Sequence, residues 1–381
     1  MTEQSVTIPK VFADSPIRDL MEKALGDERL TLADGVRLYE SDDLAAMGWA
    51  ANAIRERRHG NVTYYLKNRH INYSNVCKYD CFFCSFYRKS ADDEGGWEWT
   101  VEDVLKHVAD YKDTGLQEFH IVGGVHPDLP FSYYTEMLTA LRDEHPGVAL
   151  KAFTAIEIAY FAELTGKSLT EVLSELKEAG LAMLPGGGAE VFADRVRYKV
   201  CREKADSDRW FEVHEAAHAL GIPTNCTMLY GHIETAEERV DHLLRLRDLQ
   251  DRTGGMLSYI PLRFHPDNNL LGSKKLGEPT GVEVLKNIAI GRLMLDNIPH
   301  IKAYWVMLGI KPAQLSLSYG ANDIDGTVTW ERIYQMAGAT TAPEDMTEER
   351  LRQVIEEAGR TPVERDAFYN EIADTQTVGV S

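Results

Sequence analysis

Three of the five cysteines in the chain fall within one short run, Cys77-Lys-Tyr-Asp-Cys81-Phe-Phe-Cys84. Thiolates crowded this closely suit a soft metal centre better than a disulfide framework, and an odd cysteine count without a secretory leader argues the same way. A tetrahedral zinc site needs a fourth ligand, commonly from a second pair, and no second cysteine pair follows; His70 or Asp80 would have to supply it. A cubane 4Fe-4S cluster normally takes four thiolates, so three leave one iron open to a small molecule, and the spacing favours this reading. Cys201 and Cys226 lie far along the chain and read as buried small hydrophobes.

A second metal-like pattern competes with the first. His214-Glu215-Ala-Ala-His218 matches the H-E-x-x-H helix of zinc hydrolases, with Gly221 at a suggestive distance. The extended pattern wants a histidine where Thr224 stands. The segment reads instead as an outer helix, with Trp210, Val213 and Ala217 packing inward and the histidines at the surface.

Residues of this kind must be positioned by a scaffold. Short β-rich runs alternate with amphipathic helical stretches, the pattern of parallel βα units in an α/β protein. The expected strands are 64–71, 118–122, 149–154, 181–184, 224–229, 257–262, 301–306 and 315–318. Eight strands close a (β/α)8 TIM-type barrel, whose active sites form at the C-terminal strand ends. The cysteine loop follows the first strand, Gly123-Gly124-Val-His126 the second, Thr154-Ala-Ile-Glu157 the third and Pro185-Gly-Gly-Gly-Ala-Glu190 the fourth. Tyr230-Gly-His232, Arg263-Phe-His265 and Gly320-Ala-Asn-Asp323 follow the fifth, sixth and eighth. Thr100 with Asp103, Ser168 with Glu171 and Thr235 with Glu238 carry the capping-box spacing of helix starts, and Thr347 caps a late helix. The organisation is then an N-terminal helical extension (1–60) acting as a lid or plug, a barrel (61–330) and a C-terminal helical extension (331–381). The tail beyond Ala373 is expected to fray.

The bulk properties bound the function. With 44% apolar and 27% charged residues the 381-residue chain has the proportions of a soluble globular protein. A net charge of −19 without a basic stripe disfavours nucleic acid. No apolar run suits a signal peptide or a membrane span, so a cytoplasmic protein with no membrane partner is expected.

The cysteine loop resembles the signature of the radical S-adenosylmethionine (radical SAM) superfamily. That resemblance implies a TIM-type barrel, a 4Fe-4S cluster on Cys77, Cys81 and Cys84, and S-adenosyl-L-methionine bound at the open iron as co-substrate. It places Phe83 by the adenine, Gly123-Gly124 at the methionyl amino group, and Tyr87 among the cofactor-binding residues; where relatives often carry an acid after the glycines, Val125-His126 stand here. Within the superfamily the chain is similar to the aminofutalosine synthases of menaquinone biosynthesis (the futalosine pathway). The segments are Asn68-Arg-His-Ile-Asn72, His120-Ile-Val-Gly-Gly-Val-His-Pro-Asp-Leu-Pro130, Leu184-Pro-Gly-Gly-Gly-Ala-Glu190, Gly221-Ile-Pro-Thr-Asn225, Met228-Leu-Tyr-Gly-His-Ile-Glu-Thr235, Met294-Leu-Asp-Asn-Ile-Pro-His-Ile-Lys302 and Gly320-Ala-Asn-Asp-Ile-Asp-Gly-Thr327. Several are shared with the cyclic dehypoxanthinyl futalosine synthases and with enzymes of deazaflavin-cofactor (FO) assembly, which remain the alternatives. The resemblance implies a transferase that adds the 5′-deoxyadenosyl radical to the enol ether of 3-[(1-carboxyvinyl)oxy]benzoate. The products are 6-amino-6-deoxyfutalosine, methionine and bicarbonate.

Such a substrate is an aryl enol ether dicarboxylate, and its carboxylates need donors once out of water. Arg263, with its planar fork, is the first candidate, with His265 beside it as a second catalytic candidate. Lys302 and His300 lie near the seventh strand, and Asn68 and His232 complete the substrate-binding set. Glu157 and Glu190 are candidate acceptors for ribose hydroxyls or adenine, and Gly187, within Gly186–Gly188, lets the backbone approach a ligand closely. A flavodoxin or ferredoxin electron donor is implied, docking through Arg88 and Lys89, and a homodimer is a candidate assembly.

Overall fold

The computed structural model describes residues 6–274, 276–339 and 346–373, so the expected fraying beyond Ala373 falls outside the described residues. Ten strands are present: β1 (Val62–Leu66), β2 (Asn68–Ile71), β3 (Glu118–Ile121), β4 (Ala149–Ala152), β5 (Leu181–Met183), β6 (Thr224–Tyr230), β7 (Met256–Arg263), β8 (His300–Ile301), β9 (Asp323–Gly326) and β10 (Thr361–Glu364). Strands β2 to β5 pair in chain order and in parallel, as do β6 to β8. Isolated parallel bridges complete the circuit: Leu184 with Thr224 joins β5 to β6, Lys302 with Asp323 joins β8 to β9, and Thr329 with Arg69 returns to β2. Strands β2 to β9 therefore form a closed eight-stranded parallel ring with no free edge. Every residue of β6 is buried, as a strand covered by helices outside and by barrel contents inside must be.

The expected first strand is broken at Lys67. Its β2 half belongs to the ring, whereas β1 pairs β9 on one side and β10 on the other, with a register shift between Tyr64 and Leu66. The expected strand at 315–318 is wrong: Ile310–Ser316 is a helix, and the eighth ring strand is β9, Asp323-Ile-Asp-Gly326. Its polarity disguised it. Inside the fold the Arg365 Nε donates to Asp323 at 2.6 Å and the Lys302 Nζ to Asp325 at 3.2 Å, so both acids are neutralised where they would otherwise be untenable. The strand expected at 301–306 is only His300–Ile301, after which the chain turns into the helix Trp305–Leu308. The C-terminal stretch is not purely helical either, because β10 follows the helix Glu348–Glu357 and extends the β1–β9 sheet.

The N-terminal helices Arg18–Leu25, Leu32–Glu40 and Leu44–His59 are a plug and not a lid. They pack on the helices Ala236–Thr253 and Gly281–Met294, and fully buried Arg55 donates to the carbonyls of Gly60, Val62 and Ala321 at the starts of β1 and β9. That end of the barrel is opposite the cysteine loop. The capping boxes at Thr100, Ser168 and Thr235 form reciprocally, and Thr347 caps its helix through the Arg350 amide. Among the described residues no helix is long and apolar enough to cross a membrane.

Candidate active site

The loop after β2 is pinned on every side. The Cys77 amide donates to the Arg88 carbonyl at 2.9 Å, the Lys78 amide to Val125 at 2.9 Å and the Phe82 amide to Val200 at 2.8 Å, while the Leu271 amide donates to Phe82 at 2.7 Å. Gly124 must be glycine for this loop to sit where it does, because a Cβ there would lie 2.2 Å from the Val76 carbonyl oxygen. Gly186 is pressed equally hard against β6, its would-be Cβ 2.6 Å from the Cys226 Cα. Close backbone approach, and not flexibility, is what these glycines supply.

Cys77, Cys81 and Cys84 all face one cavity of about 270 Å³ inside the barrel mouth. Phe83, Tyr87, Gly123, Gly124, Glu157, Gly187, Glu190, Arg263, His265 and Lys302 line the same cavity. Burial pushes all three thiols upward, with Lys204 pulling each back down. Thiols this desolvated ionise when a cation shares the charge, so the donor set fits a cationic metal centre. No three His, Cys, Asp or Glu side chains among the described residues are gathered to hold a single ion. Three thiols of one short loop that line one cavity suit a cluster in which each takes a different iron. The residues therefore fit the 4Fe-4S cluster, with Cys77, Cys81 and Cys84 as its protein ligands.

The glutamates are more constrained than their sequence positions suggested. Glu157 caps the helix Ala155–Thr165 through Thr154, and it accepts further hydrogen bonds from the Tyr73 hydroxyl at 2.9 Å and the Gly123 amide at 3.3 Å. Burial raises it to about 7 despite these bonds. It lines the cavity, and what its carboxylate does there is to fix the glycine turn. Glu190, in the left-handed region at φ 47°, is ion-paired with Lys204, a residue the sequence reading missed. Lys204 is held protonated because Glu190 and the neighbouring thiols outweigh its burial, and its ammonium sits 5.4 Å from the Phe83 ring centroid. No spacing signal marks it, since it reaches the cavity from the loop after the helix Asp194–Val200.

The cationic candidates divide. Arg263 lines the cavity with its guanidinium 2.8 Å from exposed Glu278 and with a buried Nε that has no partner. The His265 Nε2 lies 3.0 Å from the Met307 carbonyl, and burial holds the ring neutral. Lys302 is deep in the barrel, kept protonated by Asp325 and Asp323 against its burial. Two candidates are misplaced. Asn68 is buried between strands, its Oδ1 accepting from the Val328 amide at 2.8 Å, and it does not line the cavity. The His232 side chain is sealed in its own loop, against Glu234 at 3.0 Å and the Leu229 carbonyl at 2.9 Å. His300 is likewise occupied, stacked on Tyr369 with centroids 3.6 Å apart. Arg88 braces the cysteine loop by donating to the carbonyls of Ser85, Tyr87 and Glu94, which leaves only Lys89 exposed at that spot.

The histidines of the zinc-like helix are not at the surface. His214 is fully buried, stacked on Trp210 at 3.7 Å, and the rings of His214 and His218 both bond the Thr224 hydroxyl, at 3.0 and 2.9 Å. Glu215 turns away to Arg252. The helix packs on β6 and away from the cavity, so its histidines serve the barrel wall.

Deeper in the cavity lie His120 on β3 and Lys151 on β4, which were not anticipated, and His70 on β2, considered above only as a fourth zinc ligand; the three are register partners. Lys151 is the one charged residue of Ala149–Ala152, whereas β2, Asn-Arg-His-Ile, offers no such contrast.

The comparisons agree with this geometry. Residues 71–246 match the radical SAM superfamily, and residues 253–378 match the CofH/MqnC C-terminal region. The chain is 48% identical to the aminodeoxyfutalosine synthase of Thermus thermophilus, covering 94% of this chain and 96% of that one. It is 43% identical to the aminodeoxyfutalosine synthase of Streptomyces coelicolor, covering 92% and 93%. The crystal structure of methylornithine synthase superposes with a TM-score of 0.71 at 19% identity, over 90% of this chain and 97% of that one, a likeness of fold. Three thiolates around one barrel-mouth cavity, a glycine turn braced against them, and close relatives along nearly the whole chain make this protein a member of the radical SAM superfamily, of the type that carries the CofH/MqnC C-terminal region.

Proposed function

We propose that the protein is an aminodeoxyfutalosine synthase acting in menaquinone formation. The observation that carries this reading is its identity with such enzymes over nearly their full length, in a chain whose cysteine loop lines one cavity at the barrel mouth. The 4Fe-4S cluster, when bound, supplies the electron that cleaves the sulfonium carbon–sulfur bond of S-adenosyl-L-methionine. The chain does the rest. Cys77, Cys81 and Cys84 hold the cluster and leave one coordination position for the methionyl group, and the Gly123-Gly124 turn, fixed by Glu157, presents backbone to it. Phe83 flanks the adenine, and the Lys204–Glu190 pair closes the wall beside it. Enclosure within the barrel keeps water from the adenosyl group until its C5′ has added to the enol-ether carbon of 3-[(1-carboxyvinyl)oxy]benzoate. Methionine leaves, one water is taken up as one carboxyl departs as bicarbonate, and the electron spent on the cleavage is given back, so that 6-amino-6-deoxyfutalosine forms with no net redox change. Arg263, with its unpartnered Nε at the cavity, is suited to the carboxylate next to the reacting carbon.

The electron donor of this reading is a flavodoxin or ferredoxin. Exposed Lys199, Arg202 and Lys274 border a hollow that also touches Cys81 and Phe82, and they suit an acidic partner better than the braced Arg88.

Anaerobic reaction of the reconstituted enzyme with the enol ether and S-adenosyl-L-methionine tests the reading. It should yield an adenine-bearing adduct, methionine and bicarbonate in equal amounts. Free 5′-deoxyadenosine without an adduct would overturn it in favour of a hydrogen-abstracting, cyclising activity.

A further inference from the structure

The inner layers of a barrel of this type are ordinarily filled by branched apolar side chains. Here one layer is charged. His70, His120 and Lys151 stand side by side on three neighbouring strands, and Lys302 and Asp325 continue the layer across β8 and β9. All of them line the cavity that the cysteines face, and His70, Lys151 and Lys302 are at most 4% exposed. A buried polar layer of this size persists only if its groups are satisfied or if it serves a ligand.

Most of the layer is satisfied. Lys151 pairs with Glu118 at 2.5 Å and Lys302 with Asp325 at 3.2 Å, so the charges cancel in pairs. The His70 Nε2 is not: it is buried without a hydrogen-bond partner, on a ring that lines the cavity. The His70 ring is stacked flat on His120, with centroids 4.5 Å apart and planes within 6°, so it cannot swing away to find one. Burial keeps both imidazoles neutral, and a neutral imidazole offers a single N–H. With that N–H assigned to Nε2, it and two ammonium groups, each with protons beyond those its acid partner takes, border a space whose one carboxylate of the layer, Asp325, is already bonded to Lys302.

We propose that this layer is the subsite for an aromatic carboxylate, with the His70 Nε2–H as its fixed donor and Lys151 and Lys302 as the flanking cations. The inference rests on the substrate assigned above and says which end of it goes where. The enol carbon that receives the adenosyl group must lie near the cluster, and the carboxylate attached to that double bond therefore stays near the mouth with Arg263. The ring carboxylate, held at the meta position on the far side of a rigid ring, points down the barrel. A carboxylate is the chemical class that fits, because the donors outnumber the one acceptor of the layer, Asp325, and a cationic group would meet two ammonium ions.

The test compares 3-[(1-carboxyvinyl)oxy]benzoate with 2-phenoxyacrylate, which has the same enol ether and no ring carboxylate. Their dissociation constants are measured by calorimetry on the unreduced holoenzyme carrying S-adenosyl-L-methionine. The dicarboxylate should bind wild type roughly ten- to a hundredfold more tightly, as loss of a charge-assisted hydrogen bond implies. In His70→Phe, which leaves no charge unpaired, this ratio should fall about tenfold, through weaker binding of the dicarboxylate. His70→Gln, which returns an N–H donor, should restore part of it. A wild-type ratio near one, or equal weakening of both ligands in His70→Phe, would overturn the subsite without needing any other variant. Turnover separates this from the parent reading: if the enol-ether benzoate gives no adenine adduct both fail, whereas equal turnover of the two ligands to adducts removes the subsite alone.

Discussion

The cysteine loop and the helix Ser207–Ala219 both carry ligand-type side chains at spacings known from metal sites, yet they end on opposite sides of the barrel wall. The cysteines follow β2 at the open end of the ring and line the cavity there. The histidines lie one helical turn apart on the face that packs against β6, and there the Thr224 hydroxyl bonds both rings. The difference teaches that spacing becomes chemistry only where the groups converge on room for a reactant. On a packed helix face the same spacing gives hydrogen bonds that hold the barrel wall.

The largest effect in this contrast belongs to the loop. Cys81→Ala should lose the cluster, read as absence of its absorbance and of stoichiometric iron after anaerobic reconstitution, with turnover falling to background. Retained iron and full turnover would erase the distinction between the two motifs. Next comes Gly124→Ala. Its methyl group would lie 2.2 Å from the Val76 carbonyl oxygen, backbone against backbone, so the loop must shift. A displacement of about an ångström at a reacting centre costs on the order of a hundredfold, so kcat should fall by about that factor while iron content persists.

Smaller effects belong to the helix, and they should appear in stability and not in turnover. His214→Phe keeps the stacking on Trp210 and removes one hydrogen bond to Thr224, costing on the order of 1 kcal/mol in thermal unfolding without changing kcat or metal content. His218 should also give the helix a pH signature. Burial lowers it from 6.5 to about 4, so between those values the unfolded chain binds a proton that the folded chain refuses. Its contribution to stability is complete above pH 6.5 and is lost as the pH falls to about 4. His218→Asn should flatten that part of the melting-temperature profile, and a profile unchanged from wild type would mean that the ring is not buried as described.

How much of this was legible depended on whether a residue acts through its neighbours in sequence or in space. The cysteine loop and the helix starts at Thr100, Ser168 and Thr235 were readable because their fellow ligands or capping partners lie within a few residues, and the Gly123-Gly124 turn because it resembles a family motif, although it packs on Val76 and Glu157. Strand β9 was not. Asp323-Ile-Asp-Gly326 looks like a loop until Arg365 and Lys302, distant in the chain, are brought against it. His232 and Asn68 misled in the opposite direction, since each stands beside a strand end or a ligand motif and only their bonds to Leu229 and Val328 reveal a structural role. Lys204 was missed, and His70 was considered only as a zinc ligand, because nothing local distinguishes a lysine or histidine that faces a cavity from one that faces solvent.

By itself the amino-acid sequence determined the alternation of strand and helix, the three thiolates and the superfamily to which they belong, because periodicity and ligand spacing are properties of contiguous chain. Tertiary structure alone decided which charges share the barrel interior and which of them remain open to a ligand. Closing the ring brings side chains from opposite ends of the sequence into one desolvated layer, and in that layer a proton donor is available only if no neighbour has already taken it.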